Sequence, residues 1–133
     1  MKHIFNNHNK DVNGINITVI GLGKSGQGAA KLANYLGASV FVSDSISNSN
    51  LKEKSKYLES CGIEVEVGDH SDKIFDSKLW ILSPGVPQNS SILNEAKSMG
   101  IQLISEIEFA SWYAKHPIIG NGIKWQNYYG KSH

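Results

Sequence analysis

The residues best suited to chemistry in this chain begin with one run of six, Gly21-Leu22-Gly23-Lys24-Ser25-Gly26. Glycines at this spacing form a phosphate cradle where a strand passes directly into a helix. Gly21 permits the tight turn, Gly23 lets the backbone approach a phosphate and Gly26 allows close helix packing, while the free N–H groups at the helix start attract the anion. Alone the motif has little specificity, and a purely structural turn would use the same residues. Asp44 follows about 20 residues on, at the end of the next apolar run, where a carboxylate can accept both hydroxyls of a ribose. It suits a uridine as well as a dinucleotide. Its other use is to cap a loop or helix, shared with Ser45, Ser47 and Asn48. A third segment, Ser83-Pro84-Gly85-Val86-Pro87, follows another apolar run, although two prolines and a glycine also make a rigid turn unaided.

Bringing these three segments to one edge requires strands and helices that alternate, and the pattern from Ile15 onward does so. Ile17 to Ile20 reads as the first strand, and Lys24 to Leu36 as a helix with Ala29, Leu32, Ala33 and Leu36 on one face, stopped by Gly37. Ser39 to Ser43 is the second strand. The loop Asp44 to Asn50 leads to a helix carrying Leu51, Tyr57 and Leu58, closed by Gly62, and Ile63, Val65 and Val67 alternate as a third strand. Lys78 to Leu82, Ser91 to Met99, Ile101 to Ile104 and Glu106 to Lys115 continue as strand, helix, strand and helix. The expectation is an α/β, Rossmann-like, doubly wound and mainly parallel five-stranded sheet, whose carboxyl edge carries all three candidate segments.

A length of 133 residues suits one domain with a real core and is too short for a multidomain synthetase. The formal net charge is +1 with no long block of one sign, which argues against nucleic acid or an acidic membrane surface as partner. Cys61 is the single cysteine, so neither an intrachain disulfide nor a cysteine-rich metal site is expected. Residues 1–14 read as a polar N-terminal extension without the apolar core of a secretory signal, and no apolar run approaches the roughly 18 residues of a membrane span. A soluble, cytoplasmic domain is expected. His3, His8, His70, His116 and His133 lack the paired spacing of a metal site and read as solvated or capping residues. Glu106 and Glu108 fall on different faces of a helix, where they suit capping better than paired acid–base work.

Taken together, Ile17 through Gly26, Val42-Ser43-Asp44-Ser45, Ile81 through Pro87 and Ile104-Ser105-Glu106-Ile107-Glu108 resemble the N-terminal domain of the D-glutamate-adding ligases of the Mur family. The resemblance covers about Ile15 to Ile119, and the S-P-G-[IV]-P and E-I-E elements are its most specific parts. It implies a domain that binds UDP-N-acetylmuramoyl-L-alanine. Lys24 and Ser25, with the amides of Gly21, Gly23 and Gly26, would approach the diphosphate; Asp44 and Ser45 would lie beside the uridine; the backbone at Gly85 would close over the uracil. None of these residues would be catalytic. The family often has a basic residue after the Asp-Ser/Thr pair, where this chain has Ile46, which puts one uridine or phosphate contact in question. ATP and magnesium are implied for the full-length family enzyme, with no cofactor in this chain, and a monomer is expected. The glycine loop and Asp44 by themselves also admit an NAD(P)-binding domain of an oxidoreductase or regulatory protein, and a non-catalytic interaction module is a further alternative.

After Ile119 the family continues into an ATP loop of the type G-[ST]-N-G-K-[ST]-T, whereas this chain runs Gly120-Asn121-Gly122-Ile123-Lys124-Trp125-Gln126-Asn127-Tyr128-Tyr129-Gly130-Lys131-Ser132-His133. Gly130-Lys131-Ser132 lacks the upstream glycine that a P-loop requires. Back-translated with permitted codons and read one base along, Gly122 to Gly130 becomes Gly-Ser-Asn-Gly-Lys-Thr-Thr-Thr. A frameshift near residue 120 is therefore expected, with 15–119 as the UDP-sugar-binding domain, 120–133 as an out-of-frame tail, and no ligation by the chain alone.

Overall fold

The computed structural model describes residues 5, 6 and 8–114; the expected out-of-frame tail, with His3, His116 and His133, lies outside them. Five strands, β1 (Asn16–Ile20), β2 (Ser39–Asp44), β3 (Glu64–Val67), β4 (Leu79–Leu82) and β5 (Gln102–Ser105), form one sheet in the order β3-β2-β1-β4-β5. Every pairing is parallel. Four helices, α1 (Lys24–Tyr35), α2 (Ser49–Ser60), α3 (Ser91–Ser98) and α4 (Glu106–Trp112), connect or follow the strands. The expected Rossmann-like α/β architecture is what the chain adopts. The order reverses at β1: the chain moves outward through β2 and β3, then returns to lay β4 on the other flank of β1.

Both faces of the central strands are covered, which is why they read as continuous apolar runs. Because successive side chains point to opposite faces, Ile17, Val19, Val40, Val42, Leu79 and Ile81 enter one core cluster and Ile20, Trp80 and Leu82 another. The first cluster takes Ala29, Ala30, Leu32 and Ala33 from α1, Leu58 from α2 and Phe109 and Trp112 from α4. Three small alanines on the buried face of α1 let that helix lie close to the sheet, and Gly37, at φ +96°, ends the turn that follows it. The second cluster is capped by Leu93 and Ala96 of α3 and by Ile74.

Ile74 belongs to a short 3-10 turn, Asp72–Phe75, which the apolar pattern did not reveal. Its carbonyl accepts from Thr18 Oγ1 at 3.1 Å and from the buried Trp80 Nε1 at 2.7 Å, so two buried polar groups are satisfied by one atom. The last helix stops at Trp112 rather than running to Lys115. Within the polar stretch 1–14, Phe5 and Val12 are buried in the first cluster. The side-chain amide of Gln102 both donates to and accepts from the Phe5 backbone, and Lys10 Nζ donates to the Trp112 carbonyl at 2.6 Å. The Tyr113 hydroxyl donates to the Lys10 carbonyl; burial, and then the charge of Asp11, push this phenol up to about 12.

Candidate functional site

The carboxyl ends of β1, β2, β3 and β4 open onto a cavity of about 510 Å³ at the point where strand order reverses. Ligands of open α/β sheets occupy this crevice. Six of the residues singled out from sequence line it: Gly21, Gly23, Lys24, Asp44, Ser45 and Gly85. Gly26 does not; it is buried in the first turn of α1. Ser25 lies in the same helical turn, and only its backbone is described.

The glycines divide by what a Cβ would meet. At Gly21, with φ +103°, it would stand 2.7 Å from Ser83 Oγ, and at Gly26 it would stand 2.1 Å from the Gly21 carbonyl oxygen. These two serve the protein's own packing: the helix start sits directly against the turn that leaves β1. At Gly23 and Gly85 a Cβ would meet nothing within 4 Å. Gly23 is the N-cap of α1 and supplies no side-chain cap, so the first N–H groups of that helix face the opening without an intrahelical partner. The helix dipole adds positive potential there, and the Lys24 side chain is exposed at the same rim.

Asp44 performs two tasks. Its Oδ2 accepts from the Leu22 N–H at 2.7 Å and its Oδ1 from the Ile46 N–H at 2.8 Å, so one carboxylate braces the glycine loop and shapes its own turn. The capping use foreseen for this residue is therefore real, while the carboxylate still lines the cavity. Capping of α2 falls to Asn48, whose side chain accepts from Leu51 N at 2.8 Å. Ser83 ties the third segment to the first, its hydroxyl donating to the Gly21 carbonyl at 3.2 Å.

Sequence reasoning missed two features of the cavity. Ile46 is 59% exposed and lines the wall, together with Pro84, Val86, Pro87 and Ile92, which give it an apolar side. His70 is not a solvated bystander: it is half-buried, lines the cavity and places Nδ1 2.7 Å from the hydroxyl of the buried Ser43. Its signal was position alone, three residues beyond the end of β3 at the same sheet edge.

A second cavity of about 390 Å³ adjoins the first through Ser83 and Pro84 and reaches Lys97, Glu106 and Glu108. Ser105 caps α4 by accepting from the Glu108 N–H at 3.0 Å, which leaves Glu108 exposed and Glu106 turned inward, on different faces as expected. Burial pushes the Glu106 carboxyl up to about 7. Among the described residues, no group of three or more His, Cys, Asp or Glu is placed to hold a metal ion, and no helix is long and apolar enough to cross a membrane.

Chemically, the first cavity offers N–H donors and an ammonium for an anionic group, carboxylate and hydroxyl groups beyond them, and an apolar wall. A family model described as the MurD N-terminal domain matches residues 16–92. The UDP-N-acetylmuramoylalanine--D-glutamate ligase of Chlorobaculum parvum is 37% identical over 107 residues, covering 80% of this chain and 22% of the relative. The enzyme of the same name from Bdellovibrio bacteriovorus is 43% identical over 105 residues, covering 78% of this chain and 23% of the relative. The chain thus spans under a quarter of the length of these curated relatives. A solved murein peptide ligase from Psychrobacter arcticus shares the fold with a TM-score of 0.62 at 23% identity, over 74% of this chain and 20% of that one.

Proposed function

This chain belongs to the MurD family, matching its N-terminal domain, and from that premise we propose that it binds UDP-N-acetylmuramoyl-L-alanine in the cavity at the carboxyl edge of the sheet. The observation that carries the reading is the division among the glycines. Gly21 and Gly26 are required by packing, whereas Gly23 and Gly85 leave open space on the cavity side that the protein itself does not need. A diphosphate at Gly23 would take the amides at the start of α1 and the charge of Lys24 and Ser25's turn. Asp44 and Ser45 would hold the uridine, and the uracil would lie between the backbone at Gly85 and the apolar side chain of Ile46. The resemblance to the family would put a basic residue at this position, and Ile46 would offer contact area in place of its charge.

The role is to hold and orient the substrate; no bond is made or broken by these residues. In the whole family enzyme the sugar's peptide carboxylate would be presented elsewhere for activation and attack by D-glutamate. Among the described residues no group of side chains fits the magnesium ion implied, with ATP, for that enzyme. We place the protein in the cytoplasm, as a monomer. An NAD(P)-binding role is not favoured, because the family match extends through the Ser83–Pro87 segment.

Isothermal calorimetry on the chain tests the reading. Heat from UDP-N-acetylmuramoyl-L-alanine and from UDP, with none from NAD, is the expected result; binding of NAD alone overturns it.

A further inference from the structure

Behind the wall of the cavity, Ser43 at the end of β2 is wholly buried, with Oγ 2.6 Å from Glu66 Oε2 and 2.7 Å from His70 Nδ1. The same Glu66 oxygen accepts from the Ser71 N–H at 2.8 Å. Burial works to raise the Glu66 carboxyl, but hydrogen bonds from Ser43 and Ser71 outweigh it and hold the group below its ordinary value. Glu66 is therefore an ionised carboxylate that can only accept.

Proton counting then places a proton on the histidine's Nδ1. Ser43 has one hydroxyl proton and donates it to Glu66. Its oxygen must take the remaining short contact as an acceptor, so His70 carries its proton on Nδ1. In its neutral form a ring that carries the proton on Nδ1 has a bare nitrogen at Nε2. Since Nδ1 is tied to a buried hydroxyl and the ring lines the cavity, Nε2 is the ring's remaining polar atom.

We propose that His70 is a specificity-determining residue of this cavity, where Nε2 accepts a hydrogen bond from a neutral O–H or N–H donor on the nucleoside end of the ligand, with Ser43 and Glu66 as positioning residues. The inference rests on reading the cavity as a UDP-sugar site. Asp44, at the neighbouring strand end, is likewise an acceptor. Two acceptors side by side select a nucleoside rich in donors, as a ribose diol and a uracil imide together provide. A cytosine ring, which has no ring N–H, fits less well.

Calorimetry with UDP, 2′-deoxy-UDP and N3-methyl-UDP on the full chain tests this. His70→Ala is expected to weaken UDP binding about tenfold, the scale of one lost hydrogen bond in a partly enclosed site, in a chain that circular dichroism shows still folded. His70→Gln, whose amide oxygen reaches the place of Nε2, is expected to recover part of the loss. The analogue lacking the relevant donor should bind wild type and His70→Ala equally: the deoxy analogue if the partner is the ribose, the methyl analogue if it is the imide. Unchanged UDP binding by both variants overturns the inference alone, as does an equal loss on all three ligands. A wild-type chain that binds no UDP overturns the reading of the cavity, and the inference with it.

Discussion

Two alanine substitutions three positions apart, Gly26→Ala and Gly23→Ala, should separate stability from binding. At Gly26 the new Cβ would stand 2.1 Å from the Gly21 carbonyl oxygen and 3.1 Å from both the Gly21 carbonyl carbon and Ser83 Oγ. Ordinary contact between such atoms is about 3.5 Å, so α1 must move by more than an ångström away from the turn that it abuts. The obstacle is backbone, which no rotamer change relieves. Overpacking of this kind costs about 1–3 kcal/mol, offset by up to about 1 kcal/mol from alanine's better helix propensity. A net loss of about 1–2 kcal/mol lowers the melting temperature of a domain this size by roughly 3–8 °C. Gly23→Ala meets no atom within 4 Å and needs no unusual backbone angle, since φ is −77°. Its cost is that of a poorer N-cap, about 0.5 kcal/mol. Its Cβ would nevertheless occupy the space through which a phosphate approaches the helix start, and UDP affinity should fall at least about tenfold, or 1.4 kcal/mol. Thermal unfolding followed by circular dichroism, with calorimetry against UDP, measures both. If Gly26→Ala melts with the wild type, or if Gly23→Ala binds UDP as well as the wild type, the division of the glycines into packing and ligand positions is wrong.

Asp44→Ala removes the acceptor for both the Leu22 and Ile46 N–H groups; it should cost about 1–3 kcal/mol in urea unfolding and weaken UDP binding more than Ser45→Ala does. The Glu106 carboxyl, at about 7 against an ordinary value of 4.5, keeps its proton in the folded state over a range where the unfolded chain has lost it. Stability from this group is therefore fully present below pH 4.5 and declines until about pH 7, by up to about 3 kcal/mol. Glu106→Gln should flatten that part of the pH profile, as read by urea midpoints between pH 4 and 8. Phe5→Ala should lower stability by about 3 kcal/mol, because the ring is buried against the first core cluster; a stretch 1–14 that merely trailed from the domain would tolerate the change without effect.

The sheet was legible because its causes are local and periodic. Ile17 to Ile20 and Leu79 to Leu82 are apolar at every or nearly every position, since central parallel strands are buried on both faces, and Gly37, Gly62 and Gly100 mark where helices stop. Gly21 through Gly26, Asp44 and Gly85 stood out for the same reason: each ends or follows a strand, and a parallel sheet brings all such ends to one edge. What the order of residues could not contain was the role of each within that edge. Gly23 and Gly26 look alike in sequence, yet only the approach of α1 to the turn after β1 makes one a packing necessity and leaves the other open. His70 carried no motif, and its place beside the cavity comes from β3 lying next to β2, which sets Ser43 and Glu66 at 2.6 Å across 23 residues of chain. Phe5 and Val12 sit in a polar stretch with no period to betray them, and their burial depends on β5 and α4 having formed a surface for them to cover. Strands, stops and the shared edge are properties of short stretches of chain, decided by side-chain period and backbone freedom; which atoms meet at that edge is decided only when distant segments pack, because hydrogen bonds and steric contacts depend on separations in space that sequence distance does not encode.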